Sequence, residues 1–195
     1  MNTKSKHTGR RSGQTNTKVD IILVAQTLFS ENGYEKVSLR SIARESDVDP
    51  ALISHYFKSK QELFMESMLP LFEAPRRLTN ELDVPRKEMG ISLAKLFVSL
   101  ISNEKSKKLL VGIIRSSTSD EQAAKMMNRF ITENVASVIK QKINKEDASL
   151  YSNLIGSQFV GIVMAREIIK IEPLASLNED DLIKYLAPKL QIYFN

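Results

Sequence analysis

The chain has no cysteine, and only two of its 195 residues are histidine. Without thiols there can be neither disulfides nor a thiolate zinc site. His7 and His55 lie far apart in sequence, so a histidine-based metal centre is not expected, and neither is a cofactor. No uninterrupted apolar run reaches the roughly 18 residues a membrane span requires, and the N-terminus is polar. A span or a secretory signal is therefore not expected, and the expected compartment is the cytoplasm. Glycine-rich phosphate loops, internal repeats and alternating strand patterns are also missing. No nucleophile–base–orienter set is visible, so enzymatic activity is not expected.

What is present is a 42% hydrophobic fraction, enough for a real core, laid out with helical spacing. The net charge of +5 is unevenly placed. Residues 1–18 hold Lys4, Lys6, Arg10, Arg11 and Lys18 with no acid, and the remainder is balanced. Residues 1–15 are polar, include Gly9 and Gly13, and read as a disordered basic arm. Such an arm suits phosphate or minor-groove contact; it equally suits a solvated leader that keeps the protein soluble.

The densest signal lies in residues 38–63. Leu39, Ile42 and Ala43 stand at i, i+3 and i+4, one face of a short helix. Asp49-Pro50 restarts the chain, because Asp accepts from orphan N–H groups at a helix start and Pro suits the first helical position. Ile53, Tyr56 and Phe57 give the apolar face of a second short helix, and Ser59-Lys60-Gln61-Glu62 forms a capping box that opens another. Two short helices joined by a tight turn make a helix-turn-helix, whose second helix can enter a DNA major groove.

Ahead of this pair, a helix from about Thr17 to Glu31 carries Ile22, Ala25 and Phe29 as its core stripe, and Asn32-Gly33 ends it. Behind it, the helix from Lys60 meets Pro70, where a kink or break is expected. The rest reads as an all-helical body. Leu93, Leu96, Phe97 and Leu100 have helical spacing, and Lys107–Arg115 suits a helix. Ser119-Asp120-Glu121-Gln122 is a capping box, a long helix spans about Glu146–Ile171, and Asn178 caps the last helix. The expected fold class is all-α: an arm (1–15), a three-helix head (16–62) and a helical body (63–195).

The head resembles the DNA-binding domain of the TetR (tetracycline-repressor-like) family. The likeness runs through Ile22, Ala25-Gln26-Thr27-Leu28-Phe29, Glu31-Asn32-Gly33-Tyr34, Ser38, Ile42-Ala43 and Val48 to Tyr56-Phe57-Lys58-Ser59-Lys60-Gln61-Glu62-Leu63. The stretches Ala165-Arg166-Glu167, Glu172-Pro173-Leu174-Ala175 and Leu186-Ala187-Pro188 resemble the regulatory domain of one subgroup. The resemblance implies a homodimeric, ligand-responsive regulator, usually a repressor, with double-stranded DNA and a small-molecule effector as partners. Asp47 departs from the family pattern by replacing a Gly in the turn. The position commonly takes a left-handed backbone, which Asp tolerates at a cost of about 1 kcal/mol. Ser54 and Asp49 also depart from it. Together with Glu45, Asp47 and Asp49 place acids near the groove, which keeps open a second reading: a helical small-molecule-binding or adaptor protein that no longer reads DNA.

Candidate DNA contacts are Ser54 and His55 on the reading helix, Ala51 against a thymine methyl, and Ser38 and Arg40 at the start of the preceding helix. Tyr56 and Lys60 match positions that hold phosphate in the family. The resemblance also implies a ligand pocket in the body, for which Phe97, Met126, Met127, Phe130, Gln158 and Phe159 are candidates. Each also suits a plain core, which is the commoner place for such residues. Ser157, Gly161 and Ala165 share a face of the long helix at i, i+4 and i+8, and small residues permit close helix approach. With Leu182 and Leu186 of the last helix they are candidates for a dimer seam; the competing reading is packing within one subunit. The long helix itself, apolar from Phe159 to Ala165, is expected to be buried nearly all round.

Overall fold

The computed structural model of the chain describes residues 14–72, 79–143 and 145–195. The expected arm therefore lies almost wholly outside the described residues. Helices are the only regular elements among those described.

The head comprises α1 (Gln14–Lys36), α2 (Leu39–Glu45) and α3 (Pro50–Tyr56), with α4 (Lys60–Phe72) leading to the body. The chain turns within α1 at Gly33, whose φ of +79° is one that glycine adopts without steric cost. The turn folds Tyr34 back into the core, where it packs edge-on against Phe64 at 4.9 Å while Phe29 does the same at 4.8 Å. Ile21, Ala25 and Phe29 form the buried stripe, so Ile21 takes the place expected for the half-buried Ile22. Ile42, Ala43, Ile53, Phe57 and Leu63 complete this core. Lys18 pairs with Glu66 at 2.8 Å and so ties α1 to α4.

The caps are local and specific. Ser38 accepts from the Ser41 N–H at 3.0 Å and starts α2. Asp47 has a φ of 52°, the left-handed turn expected for it. Asp49 accepts from the Ala51 N–H at 2.7 Å and starts α3. At the α4 start the Glu62 N–H donates to Ser59 Oγ at 3.1 Å, and the Glu62 carboxylate accepts from the Lys58 N–H at 2.8 Å. Pro70 does not break α4, which runs through it to Phe72.

The body contains α5 (Met89–Ser102), α6 (Glu104–Ser117), α7 (Glu121–Phe130), α8 (Ser137–Lys142), α9 (Ala148–Val163) and α10 (Glu179–Gln191). A π-helical stretch, Ile131–Ala136, joins α7 to α8, and another, Met164–Ile169, extends α9. The cap of α7 is Asp120, which accepts from the Ala123 N–H at 2.6 Å; the expected Ser119 box is displaced by one residue. Asn178 caps α10 as expected.

The last helix, α10, lies along α5, and Gly90 is what permits the approach. A Cβ there would stand 2.5 Å from the Ala187 carbonyl oxygen and 2.6 Å from the Gln191 nitrogen. Leu182 and Leu186 are buried in this packing, 4% and 7% exposed, so they serve the subunit core and not a seam. The burial expected of the long helix is also corrected. Ser152, Ile155, Gly156 and Val163 are buried, but Leu150 is 57% exposed and Leu154, Ser157 and Gly161 are exposed as well. With its π-helical extension α9 covers Ala148–Ile169, 22 residues containing an 18-residue window of mean hydropathy 1.2, which meets the length and composition of a membrane span. Its buried face nevertheless belongs to the body core.

Candidate nucleic-acid interface and small-molecule cavity

The helix-turn-helix presents a polar face built by its own caps. Ala51, Ser54 and His55 are exposed on α3, and Ser38 and Arg40 are exposed at the start of α2. Ile53 and Phe57 anchor the other side of α3 in the core. Ser54 Oγ donates back to the Pro50 carbonyl at 3.4 Å, which leaves its oxygen able to accept. The half-buried Tyr56 meets the His55 ring edge-on at 5.4 Å. Two of the three acids beside this face have local partners: Asp49 caps α3, and Glu45 stands 3.7 Å from Arg44.

Lys60 sits differently from its neighbours in the candidate set. Its ammonium lies 4.2 Å from the Tyr34 ring centroid and donates to the Glu35 carbonyl at 3.2 Å. Burial pushes this ammonium below its ordinary range, while the charges of Asp120 and Glu35 pull it back. Burial, with Asp120 adding to it, also raises the Tyr34 phenol. Lys60 thus faces the joint between head and body.

That joint is made by α1 on α6. A Cβ on Gly112 would stand 3.3 Å from Ser30 Cα, so the two backbones nearly touch. One turn on, Ser116 Oγ accepts from the Tyr34 N–H at 3.0 Å and donates to the Gly112 carbonyl at 2.9 Å. Neither Gly112 nor Ser116 was singled out from the sequence, although their i, i+4 spacing on an otherwise bulky helix is a signal for close approach.

An open cavity of about 440 Å³ lies beside this joint, between the end of α6, α7 with its π-helical continuation, and α9. Ser117, Ala124, Met127, Asn128, Ile131, Thr132, Asn153, Ser157 and Val160 line it. Of the six candidate ligand residues, only Met127 is in this lining. Phe97 and Phe159 stack on each other at 4.2 Å and 6°, outside this lining. Met126 and Phe130 are buried, and Gln158 donates its amide to the Tyr193 hydroxyl.

The α9 face next to the cavity is open. A Cβ on Gly161 would meet nothing within 4 Å. Ser157 borders both cavity and open face, while Ala165 falls in the π-helical stretch and is half-buried. The C-terminal end of α10 comes close by, with Tyr193 against Tyr151 at 6.0 Å and Ile192 63% exposed.

Comparisons with known proteins agree with this geometry. Residues 21–66 match the family model for bacterial regulatory proteins of the tetR family. Residues 87–194 match that for the tetracyclin repressor-like C-terminal domain. A Bacillus subtilis protein described as "Probable HTH-type transcriptional regulator YttP" is 42% identical over 59 residues, 30% of this chain and 28% of that protein. Solved structures share the whole fold. A TetR-family regulator from Streptomyces coelicolor A3 has a TM-score of 0.67 at 24% identity, covering 95% of this chain and 98% of its own. NalD, the secondary repressor of the MexAB-OprM multidrug efflux pump in Pseudomonas aeruginosa, has a TM-score of 0.65 at 20% identity, covering 89% and 96%. Two family models, one on the helix-turn-helix head and one on more than half of the chain, establish that this protein belongs to the tetracycline-repressor family of DNA-binding transcriptional regulators.

Proposed function

We propose that the protein is a homodimeric, effector-responsive repressor that binds an inverted-repeat operator in the cytoplasm and catalyses no reaction. The observation that carries this is α3, whose Ala51, Ser54 and His55 stand exposed on a helix anchored from behind by Ile53 and Phe57. Ser54 and His55 would read base edges, Ala51 a thymine methyl, and Arg40, Ser38 and Tyr56 would hold phosphates and fix register. The local roles of Asp49 and Glu45 weaken the objection that acids near the groove forbid DNA.

One head reads few base pairs, so specificity calls for two. The open face of α9, with Leu150, Leu154, Ser157 and Gly161, is the seam this reading assigns to a second copy. Two linked heads bind a two-fold site far better than one, because the second contact is intramolecular. Effector control follows from the position of the cavity. Ser117 lines it, and the preceding residue, Ser116, holds the head through Tyr34. A molecule that prefers a different spacing of α6, α7 and α9 would shift that joint and change the separation of the reading helices. Linkage requires DNA to change effector affinity by the same factor.

Selection of bound sequences from randomised duplex DNA tests the proposal. The expected product is an inverted repeat with half-sites one DNA turn, roughly 34–36 Å, or a small multiple apart. Unenriched sequence at moderate salt would overturn it.

A further inference from the structure

We infer that the cavity between α6, α7 and α9 selects an uncharged molecule that both donates and accepts hydrogen bonds; this rests on its reading as the effector site. The volume of about 440 Å³ falls within the range of small-molecule sites, roughly 300–1,000 Å³. Its polar groups are the hydroxyls of Ser117, Thr132 and Ser157 and the carboxamides of Asn128 and Asn153. None of these side chains carries charge: the two carboxamides and the Thr132 hydroxyl can give and take a hydrogen bond, while Ser117 Oγ, which donates to the Ile114 carbonyl at 2.8 Å, offers an acceptor.

The charged side chains of α7 beside the lining have partners of their own. On α7, Lys125 pairs with Glu121 at 2.7 Å, and Arg129 pairs with Glu133 at 3.0 Å. Asp120 caps the same helix and acts on Tyr34 and Lys60 of the head. A carboxylate or phosphate entering the cavity would give up water without gaining a guanidinium or ammonium in return. A quaternary ammonium would find neither a carboxylate nor an aromatic face in the lining. Met127, Ile131 and Val160 contribute apolar surface, and methionine adapts its shape readily. The matching chemistry is a neutral compound with an apolar portion beside hydroxyl or amide groups, such as an alkyl glycoside or an N-acyl amide. Ser157 Oγ already donates to the Leu154 carbonyl at 2.8 Å, so it faces the ligand as an acceptor and asks for a donor.

The test uses the full chain and a size-matched set of alkyl glycosides, N-acyl amides, alkyl carboxylates, phosphate monoesters and alkylammonium salts, read by calorimetric titration. Asn153→Leu and Thr132→Val change exposed side chains, and urea midpoints confirm that both variants fold. Neutral members are expected to bind, each variant is expected to weaken them about tenfold, and charged members are expected not to bind. Asn153→Asp should bring the alkylammonium salts on. Charged members that bind the native chain and are lost in the two variants would overturn the ligand class while leaving the site in place. Binding that ignores both variants, or no binding by any class, would overturn the effector-site reading and the inference with it.

Discussion

Two faces of the molecule carry small residues at helical spacing, and they meet opposite fates. Gly112 and Ser116 on α6 are covered by the chain's own α1, backbone against backbone. Ser157 and Gly161 on α9 are exposed, and among the described residues nothing lies within 4 Å of a Cβ on Gly161. In sequence the stripes look alike, since a small residue every fourth position says only that something can come close. What separates them is supply. The Gly33 turn brings Tyr34 to Ser116, and no described segment is placed over Gly161. The covered stripe holds head to body; the open one is available to another chain.

Substitutions can break this contrast, beginning with the largest effect. Gly90→Ala should destabilise the subunit by about 3 kcal/mol or more, because the clash is with the backbone of α10 and neither helix can yield cheaply. Gly161→Ala should not lower stability in urea unfolding and should raise it by up to about 1 kcal/mol, since its Cβ enters open space on a helix where alanine is preferred to glycine. Equal losses at the two sites would erase the distinction between covered and open faces.

Ser116→Ala comes next. It removes the acceptor of the buried Tyr34 N–H, at a cost of about 1–3 kcal/mol. DNA affinity should then respond less to any bound effector, which anisotropy titration with and without that compound would measure. Lys60→Ala should cost the head about 1 kcal/mol, through loss of the ring contact and of the bond to the Glu35 carbonyl. If Lys60 instead served mainly as a phosphate contact, the salt slope of DNA binding would fall by about 1 while stability stayed put.

The smallest effect concerns alkaline pH. The fold favours the neutral Tyr34 phenol, whose pKa is raised chiefly by burial and further by Asp120. Its contribution is therefore complete below the phenol's ordinary range and is lost as pH rises toward the raised value. Tyr34→Phe should flatten that part of the stability–pH curve. An unchanged alkaline limb would remove Tyr34 as its source.

The head was legible in the sequence because its signals are local. Asp49-Pro50 names a helix start, Asn32-Gly33 a helix end, and Asp47 a left-handed turn within one or two residues of where each acts. In the body, local signals gave helices without their partners. Leu182 and Leu186 are apolar at helical spacing whether they face α5 or a second subunit, and only the fit of α10 over Gly90 assigns them to the core. Phe97 and Phe159 read as pocket walls because the sequence does not show that their rings stack on each other. The cavity was the least legible part. Its lining comes from three separate stretches between Ser117 and Val160, and its polar members are residue types that usually face solvent. Met127, a candidate ligand residue in the sequence, is the one of the six that lines it.

Sedimentation of Gly161→Leu over a concentration series, beside the native chain, tests the contrast between the two faces most directly. The expected result is a native dimer and a Gly161→Leu variant that dissociates at much higher concentration while its subunit stays folded. The Cβ of a residue at 161 enters open space among the described residues, whereas a leucine there would hold a second copy away, and in a two-fold pair the obstruction enters twice. A variant that stays as tight a dimer as the native chain would contradict it and move the seam off this face of α9.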